Sequence, residues 1–99
     1  IKTERGLVVI LGCAHRGIVN TLRHAQKLTG VERVYAAIGG THLFRAPEEQ
    51  IVQTIAALRE MGVERLGVCH CTGFAAAARL AQEFGEIFFY NTAGTQLEL

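Results

Sequence analysis

Apolar and polar positions along this chain switch between two periods. Leu7-Val8-Val9-Ile10-Leu11 is an unbroken apolar run between Glu4-Arg5-Gly6 and Gly12, the pattern of a fully buried strand that follows a tight turn. From Gly17 the spacing becomes helical: Ile18, Leu22, Ala25 and Leu28 predict the buried stripe, and Gly30 stands where a left-handed cap belongs. Val34–Ile38 reads as a second buried strand, ending in Gly39-Gly40. Pro47, with Glu48 and Glu49 behind it, opens a second helix with Ile51, Ile55 and Leu58 on its buried side, and Gly62 ends it. Leu66–Cys69 predicts a third strand, Thr72 a cap for a third helix running to Phe84, and Ile87–Tyr90 and Thr95–Leu97 two closing strands.

The order is therefore a β-hairpin, then α, β, α, β, α, β, β, within one domain spanning residues 1–99. Such alternation defines the α/β class, with right-handed crossovers and a mainly parallel sheet. Gly30-Val31-Glu32-Arg33 and Gly62-Val63-Glu64-Arg65 stand at the same phase between a helix and the next strand, as expected when one βα unit is used twice. Strands this apolar call for cover on both faces, and three helices supply only one. The second layer is expected from a missing N-terminal half or from a homodimer partner. Ile1, set in an Ile-Lys-Thr segment that reads as a strand already under way, points to a piece of something longer.

Composition narrows the classes. With 49% hydrophobic residues, 19% charged and a single Pro in 99 positions, the chain is built to pack rather than to stay disordered. Ten Lys and Arg against nine acidic residues leave a net charge of +1, scattered along the chain, so no nucleic-acid partner is expected. No apolar run approaches the roughly 20 residues that cross a bilayer, and no membrane partner is expected. Three cysteines at no disulfide-framework spacing imply reduced thiols and a cytoplasmic protein.

Three of the four histidines occupy equivalent places: His15 after the first long strand, His42 after the second and His70 at the end of the third. In a parallel sheet the carboxyl ends of the strands share one edge, where α/β folds bind ligands, so three imidazoles line one rim. Neutral imidazole binds zinc-, iron- and manganese-type ions, which makes His15, His42 and His70 the candidate metal ligands. The plainer alternative is that each satisfies a loop hydrogen bond. His24 lies mid-helix and reads as a surface residue. The small residues of the three loops leave backbone N–H groups open at helix starts, a cradle for a phosphorylated or carboxylated small molecule. Arg16, Thr41, Thr72 and Gly73 are the expected contacts to that substrate, with Arg45 a second nearby arginine. If residues 69–71 are extended, Cys69 and Cys71 face one way and His70 the other. His70 is then the ligand, and Cys13 and Cys71 are structural or support it from behind, with Cys13 as a ligand the alternative. A thiolate at Cys71, activated at the start of the third helix, is the alternative.

These residues form a pattern. Gly6-Leu7-Val8-Val9-Ile10-Leu11-Gly12-Cys13-Ala14-His15, Ile38-Gly39-Gly40-Thr41-His42-Leu43 and Cys69-His70-Cys71-Thr72-Gly73 resemble, in order, the C-terminal part of the metal-dependent hydrolases of the metallo-β-lactamase fold. Within that family they look most like the subgroup of the archaeal dihydropterin ribofuranosyl-aminobenzene phosphate synthase. The resemblance implies half of a four-layer αββα sandwich holding one or two divalent metal ions, zinc first with iron or manganese as alternatives. It also implies metal-bound hydroxide attacking a phosphoester or related group. The family's His-x-His-x-Asp-His motif is absent from this sequence. Cys13 stands where the family often carries an aspartate ligand, which moves the expected role to His15. His42 matches the subgroup's Gly-Gly-x-His-Leu motif as a ligand or a substrate contact, and Thr41 replaces a bulkier residue there.

Two readings follow. In the first, the chain is the C-terminal portion of a metal-dependent hydrolase, inactive without its N-terminal half. In the second, it is a non-catalytic α/β module that binds an anion or metal and buries its open sheet face by dimerising.

Overall fold

Parallel pairing decides the architecture. A computed structural model describes all residues, 1–99. It contains strands β1 (Lys2–Thr3), β2 (Gly6–Leu11), β3 (Val34–Gly40), β4 (Arg65–Cys69) and β5 (Phe88–Tyr90). Helices α1 (Ile18–Thr29), α2 (Glu48–Glu60) and α3 (Phe74–Phe84) lie between the parallel strands. The sheet order is β1-β2-β3-β4-β5; β1 pairs antiparallel with β2 and every later pair is parallel. The α/β expectation, with its hairpin and parallel sheet, is borne out. Leu11 pairs with Gly39 and Gly40 with Cys69, so the carboxyl ends of β2, β3 and β4 finish side by side.

Strand order that follows chain order puts every crossover helix on the same face. One cluster of 15 buried residues joins Leu22 of α1, Leu58 of α2 and Leu80 of α3 to Val34, Leu66 and Val68 of the sheet. The other face holds only Val8, Tyr35 and Ala36 as a buried cluster, with Ile38 packed against it, and no helix contributes. Ile10 on that side is 70% exposed. The expected asymmetry, three helices over one face and little over the other, is therefore present.

Three local expectations are corrected. Thr95–Leu97 forms no strand: β5 is the last strand of the sheet, and the chain then turns, with the Thr95 N–H donating to the Thr92 carbonyl at 3.0 Å. Leu28 is 73% exposed. It lies ten residues beyond Ile18, which turns it about 80° off that residue's direction at 3.6 residues per turn. Thr72 does not cap α3, because Gly73 holds the cap position and Thr72 sits buried in the short 3₁₀ turn His70–Thr72. Gly30 does close α1 in the left-handed conformation, at φ 70°, with its N–H donated to the Gln26 carbonyl.

The two Gly-Val-Glu-Arg repeats face each other across adjacent connections, and Arg33 of the first is ion-paired with Glu64 of the second. A second network ties α2 to α3. Glu83 accepts from Arg59 at 2.8 Å and from Arg79 at 3.3 Å, while Arg79 also reaches Glu48 at 2.6 Å. Hydrogen bonds from Arg59 and then Arg79 hold the Glu83 carboxyl below its ordinary range.

Three outcomes are expected. Leu58→Ala, which empties a site 1% exposed, should lower unfolding free energy by about 2–5 kcal/mol in urea titration. Leu28→Ala should stay within about 0.5 kcal/mol of the parent. Because the folded-state pKa of Glu83 is depressed, its contribution is present above the unfolded-state pKa and is lost as pH falls through the folded one. Glu83→Gln should therefore flatten the acid limb of the stability profile, and an unchanged acid limb would show that the network is not felt.

Candidate metal centre at the strand ends

Three loops leave the sheet at the same edge, and each departs from ordinary backbone geometry. Ala14, His42 and His70 are the chain's non-glycine residues at positive φ (54°, 52° and 27°), one in each loop after β2, β3 and β4. Such conformations cost on the order of 1–3 kcal/mol each and persist where the surroundings over-determine them. Here the surroundings are visible. The Gly40 N–H donates to the Gly12 carbonyl at 2.9 Å, locking the β3 exit onto the β2 exit. A Cβ on Gly40 would lie 2.6 Å from that carbonyl oxygen, 2.6 Å from His70 Cε1 and 2.7 Å from Cys71 Sγ, so only glycine lets the β4 loop close over this point. Gly73 has the same role at the start of α3, where a Cβ would meet Phe44 Cβ at 2.7 Å.

A buried bond joins the second loop to the third. Thr41 and Thr72 are 2% and 0% exposed, and their hydroxyls meet at 2.8 Å. Phe44 N–H donates to the Cys71 carbonyl at 3.3 Å, and Gly73 N–H to that of His70 at 3.3 Å. The two threonines thus lock the loops together with their hydroxyls facing each other.

The side chains gather in two groups. His70 Nε2 lies 3.2 Å from Cys13 Sγ, and its Nδ1 lies 3.3 Å from Cys69 Sγ. The ligating atoms of Cys13, His70 and Cys71 all lie within 4.8 Å of one another. Beside them, the His15 and His42 rings stand with centroids 4.6 Å apart at 58°, and Phe44 meets His42 edge-on at 5.6 Å. All three rim histidines are exposed and the three cysteines are half-buried, as Arg16 and Arg45 are exposed and His24 lies on the surface. The imidazoles expected at one rim all stand there, His15 paired with His42 and His70 set among thiols.

The extended run expected at residues 69–71 does not occur. β4 ends at Cys69 and His70 enters a 3₁₀ turn, which swings the His70 ring and the Cys71 thiol toward the same point. This grouping was not legible, because the alternation argument holds only while the backbone stays extended. Gly73 two residues on, at φ 77°, was the available sign of a turn. Desolvation pushes the Cys13 thiol up from its ordinary pKa, and the neighbouring Cys71 and Cys69 push it the same way.

An imidazole and two thiols within a few ångströms are donors fit for a divalent metal. No carboxylate is in the group, and the chain contains no aspartate at all. A groove of about 760 Å³ lies away from the rim, lined by Arg23, Lys27, Arg33 and Glu60 near the C-terminal ends of α1 and α2.

The fold is similar to one portion of a metal-dependent hydrolase of the beta-lactamase superfamily. The crystal structure of a protein so described superposes on the whole of this chain with a TM-score of 0.91 and 37% identity, over 38% of its own length. More particularly, the chain is 47% identical over 94 residues to the 7,8-dihydropterin-6-methyl-4-(beta-D-ribofuranosyl)-aminobenzene-5'-phosphate synthase of Methanocaldococcus jannaschii, across 95% of this chain and 32% of that protein. The matched stretch is that enzyme's C-terminal part. An uncharacterised protein of the same organism is 29% identical over 75 residues, across 76% of this chain and 28% of its own. No family model matches the chain. The chain thus spans about a third of the length of the relatives it matches. The resemblance read from the three motifs is borne out, and two of these relatives are named as enzymes.

The threonine lock yields a prediction. Thr72→Val leaves the buried Thr41 hydroxyl without a partner and should cost about 1–3 kcal/mol in a denaturation measurement. The Thr41→Val, Thr72→Val double variant should recover part of that loss. A double variant that loses the sum of both single effects would mean that the hydroxyls act independently.

Proposed function

We propose that this chain forms the C-terminal portion of a metal-dependent hydrolase and contributes His15, His42 and His70 to a rim that handles a phosphoester or related small molecule. The observation that carries the reading is a likeness along the whole of this chain, at TM-score 0.91, to a metal-dependent hydrolase, with every rim imidazole at a strand end. The rim imidazoles would help hold a divalent ion, zinc before iron or manganese, which would supply Lewis-acid chemistry by lowering the pKa of bound water to about 7 and polarising the scissile group. The residues of this chain hold and orient. His70 offers Nε2 toward the centre while Cys69 Sγ, 3.3 Å from Nδ1, sets the ring from behind. Arg16, exposed next to His15, is free to clamp an anionic oxygen. The remaining donors come from the portion of the relatives that this chain does not span.

The likeness to the synthase favours a second reading of the substrate. On that reading the same rim takes a phosphorylated ribofuranosyl-aminobenzene compound and the reaction is a synthase step. One assay separates the hydrolase reading from a non-catalytic module. The longest polypeptide that the gene encodes should hydrolyse bis(4-nitrophenyl) phosphate, lose turnover on chelation and regain it with zinc or manganese. His70→Ala should lower kcat by more than the roughly 10–100-fold that loss of a mere outer partner of a metal ligand costs. The 99-residue chain alone should be inactive. Turnover by the long polypeptide that ignores both chelation and His70→Ala would overturn the proposal.

A further inference from the structure

We propose that Phe44, with the His42 ring and the Arg45 guanidinium beside it, is a platform for the aromatic part of an anionic substrate. The inference rests on the reading above, in which the rim meets an anionic small molecule, and adds the class of group that this molecule carries: a planar aryl ring.

Exposure points to Phe44 first. The residue is 50% exposed, although Leu43 before it is only 4% exposed. Its backbone is nevertheless fixed. The Phe44 N–H donates to the Cys71 carbonyl, the Ala46 N–H donates to that of Leu43 at 3.0 Å, and Phe44 Cα and Cβ pack where Gly73 has no side chain. An aromatic ring anchored in this way, with half its surface in water, gains by burying that surface and loses little freedom in doing so. Two other exposed apolar side chains are placed differently. Ile10 lies on the open sheet face, and Phe74 lines an apolar groove with Phe88 and Tyr90 along α3 and β5.

The neighbours of Phe44 decide the class of ligand. His42 meets it edge-on at 5.6 Å and 81°, and His15 stands 4.6 Å from His42, so three rings run in a row along the rim. Aromatic rings favour offset or edge-to-face partners at centroid separations of about 4.5–7 Å. A further ring continuing the row gains that geometry, whereas an alkyl group gains only contact area. Arg45 adds the charge. Its guanidinium stands over the Phe44 ring, 5.3 Å from the centroid, and the exposed side chain takes part in none of the ion pairs. Its N–H groups are therefore free to meet an anionic oxygen while its plane rests on the ring. An aromatic face beside an uncommitted guanidinium selects an aryl compound that carries a phosphate or phosphonate over its alkyl counterpart.

Phenylphosphonate and cyclohexylphosphonate are the probes, equal in charge and close in size, with only the first flat and aromatic. In titration calorimetry on the longest polypeptide that the gene encodes, supplied with zinc, phenylphosphonate should bind about tenfold more tightly. Phe44→Leu, which keeps an apolar side chain there, should erase that preference. Phe44→Tyr should retain it, and Phe74→Ala should leave it unchanged. In the unmodified protein, nuclear Overhauser contacts should join the phenyl protons of the probe to the Phe44 ring, a readout that needs no variant to fold. Failure to bind either phosphonate, equal binding of the two, a preference that survives Phe44→Leu, or bound phenylphosphonate without contacts to Phe44 would each overturn the platform. None of these results touches metal-dependent turnover of bis(4-nitrophenyl) phosphate, which tests the hydrolase reading by itself. A preference lost in Phe44→Leu, in a polypeptide that turns over no phosphoester, would keep the platform and overturn the hydrolase reading.

Discussion

The rim depends on one close backbone approach, that of Gly40 to Gly12. Parallel hydrogen bonding carries β2, β3 and β4 to the same edge, and there the Gly40 N–H meets the Gly12 carbonyl at 2.9 Å. The lack of a side chain at Gly40 then leaves the space into which His70 and Cys71 close. Every chemical feature of the site is downstream of that contact. A side chain at this point would push the third loop away from the first, and Cys13 would no longer lie beside His70.

Glycine close approach and the threonine lock divide the work. The first sets how near the loops come, and the second, with both hydroxyls buried and bonded to each other, stops the β3 and β4 loops from sliding. Strain at Ala14, His42 and His70 is sustained by these contacts, which is the arrangement expected where side chains must be aimed before a ligand arrives. The charged network of α2 and α3 lies outside the rim and serves the packing of the helices on each other.

Much of this was legible from residue order. The apolar runs Leu7–Leu11 and Val34–Ile38 with helical spacing between them imply a parallel sheet, and from it the placement of His15, His42 and His70 at one edge follows by topology alone. Gly30 as a left-handed cap was equally readable, since only the residue type matters there. Three features were hidden because they depend on distances between loops rather than on local pattern. The turn at His70 reverses the alternation argument for Cys69-His70-Cys71. Thr72 looks like a helix cap in sequence and is instead half of a buried pair with a residue 31 positions away. Leu28 fits a loose helical stripe, yet its angle carries it off the packed face. The motif resemblance supplied the family likeness, and the geometry then divided its candidate residues into a thiol–imidazole group and a paired set of rings.

The approach of His70 to Gly40 is open to direct observation. A nuclear Overhauser spectrum of the protein should show a strong cross-peak between the His70 Hε1 proton and a Gly40 α-proton, because Cε1 sits 2.6 Å from the point where a Gly40 Cβ would stand. Absence of that cross-peak, with His70 Hε1 seen only against solvent or against the His15 ring, would mean that the third loop does not close over the first and that the rim is not the assembled site described.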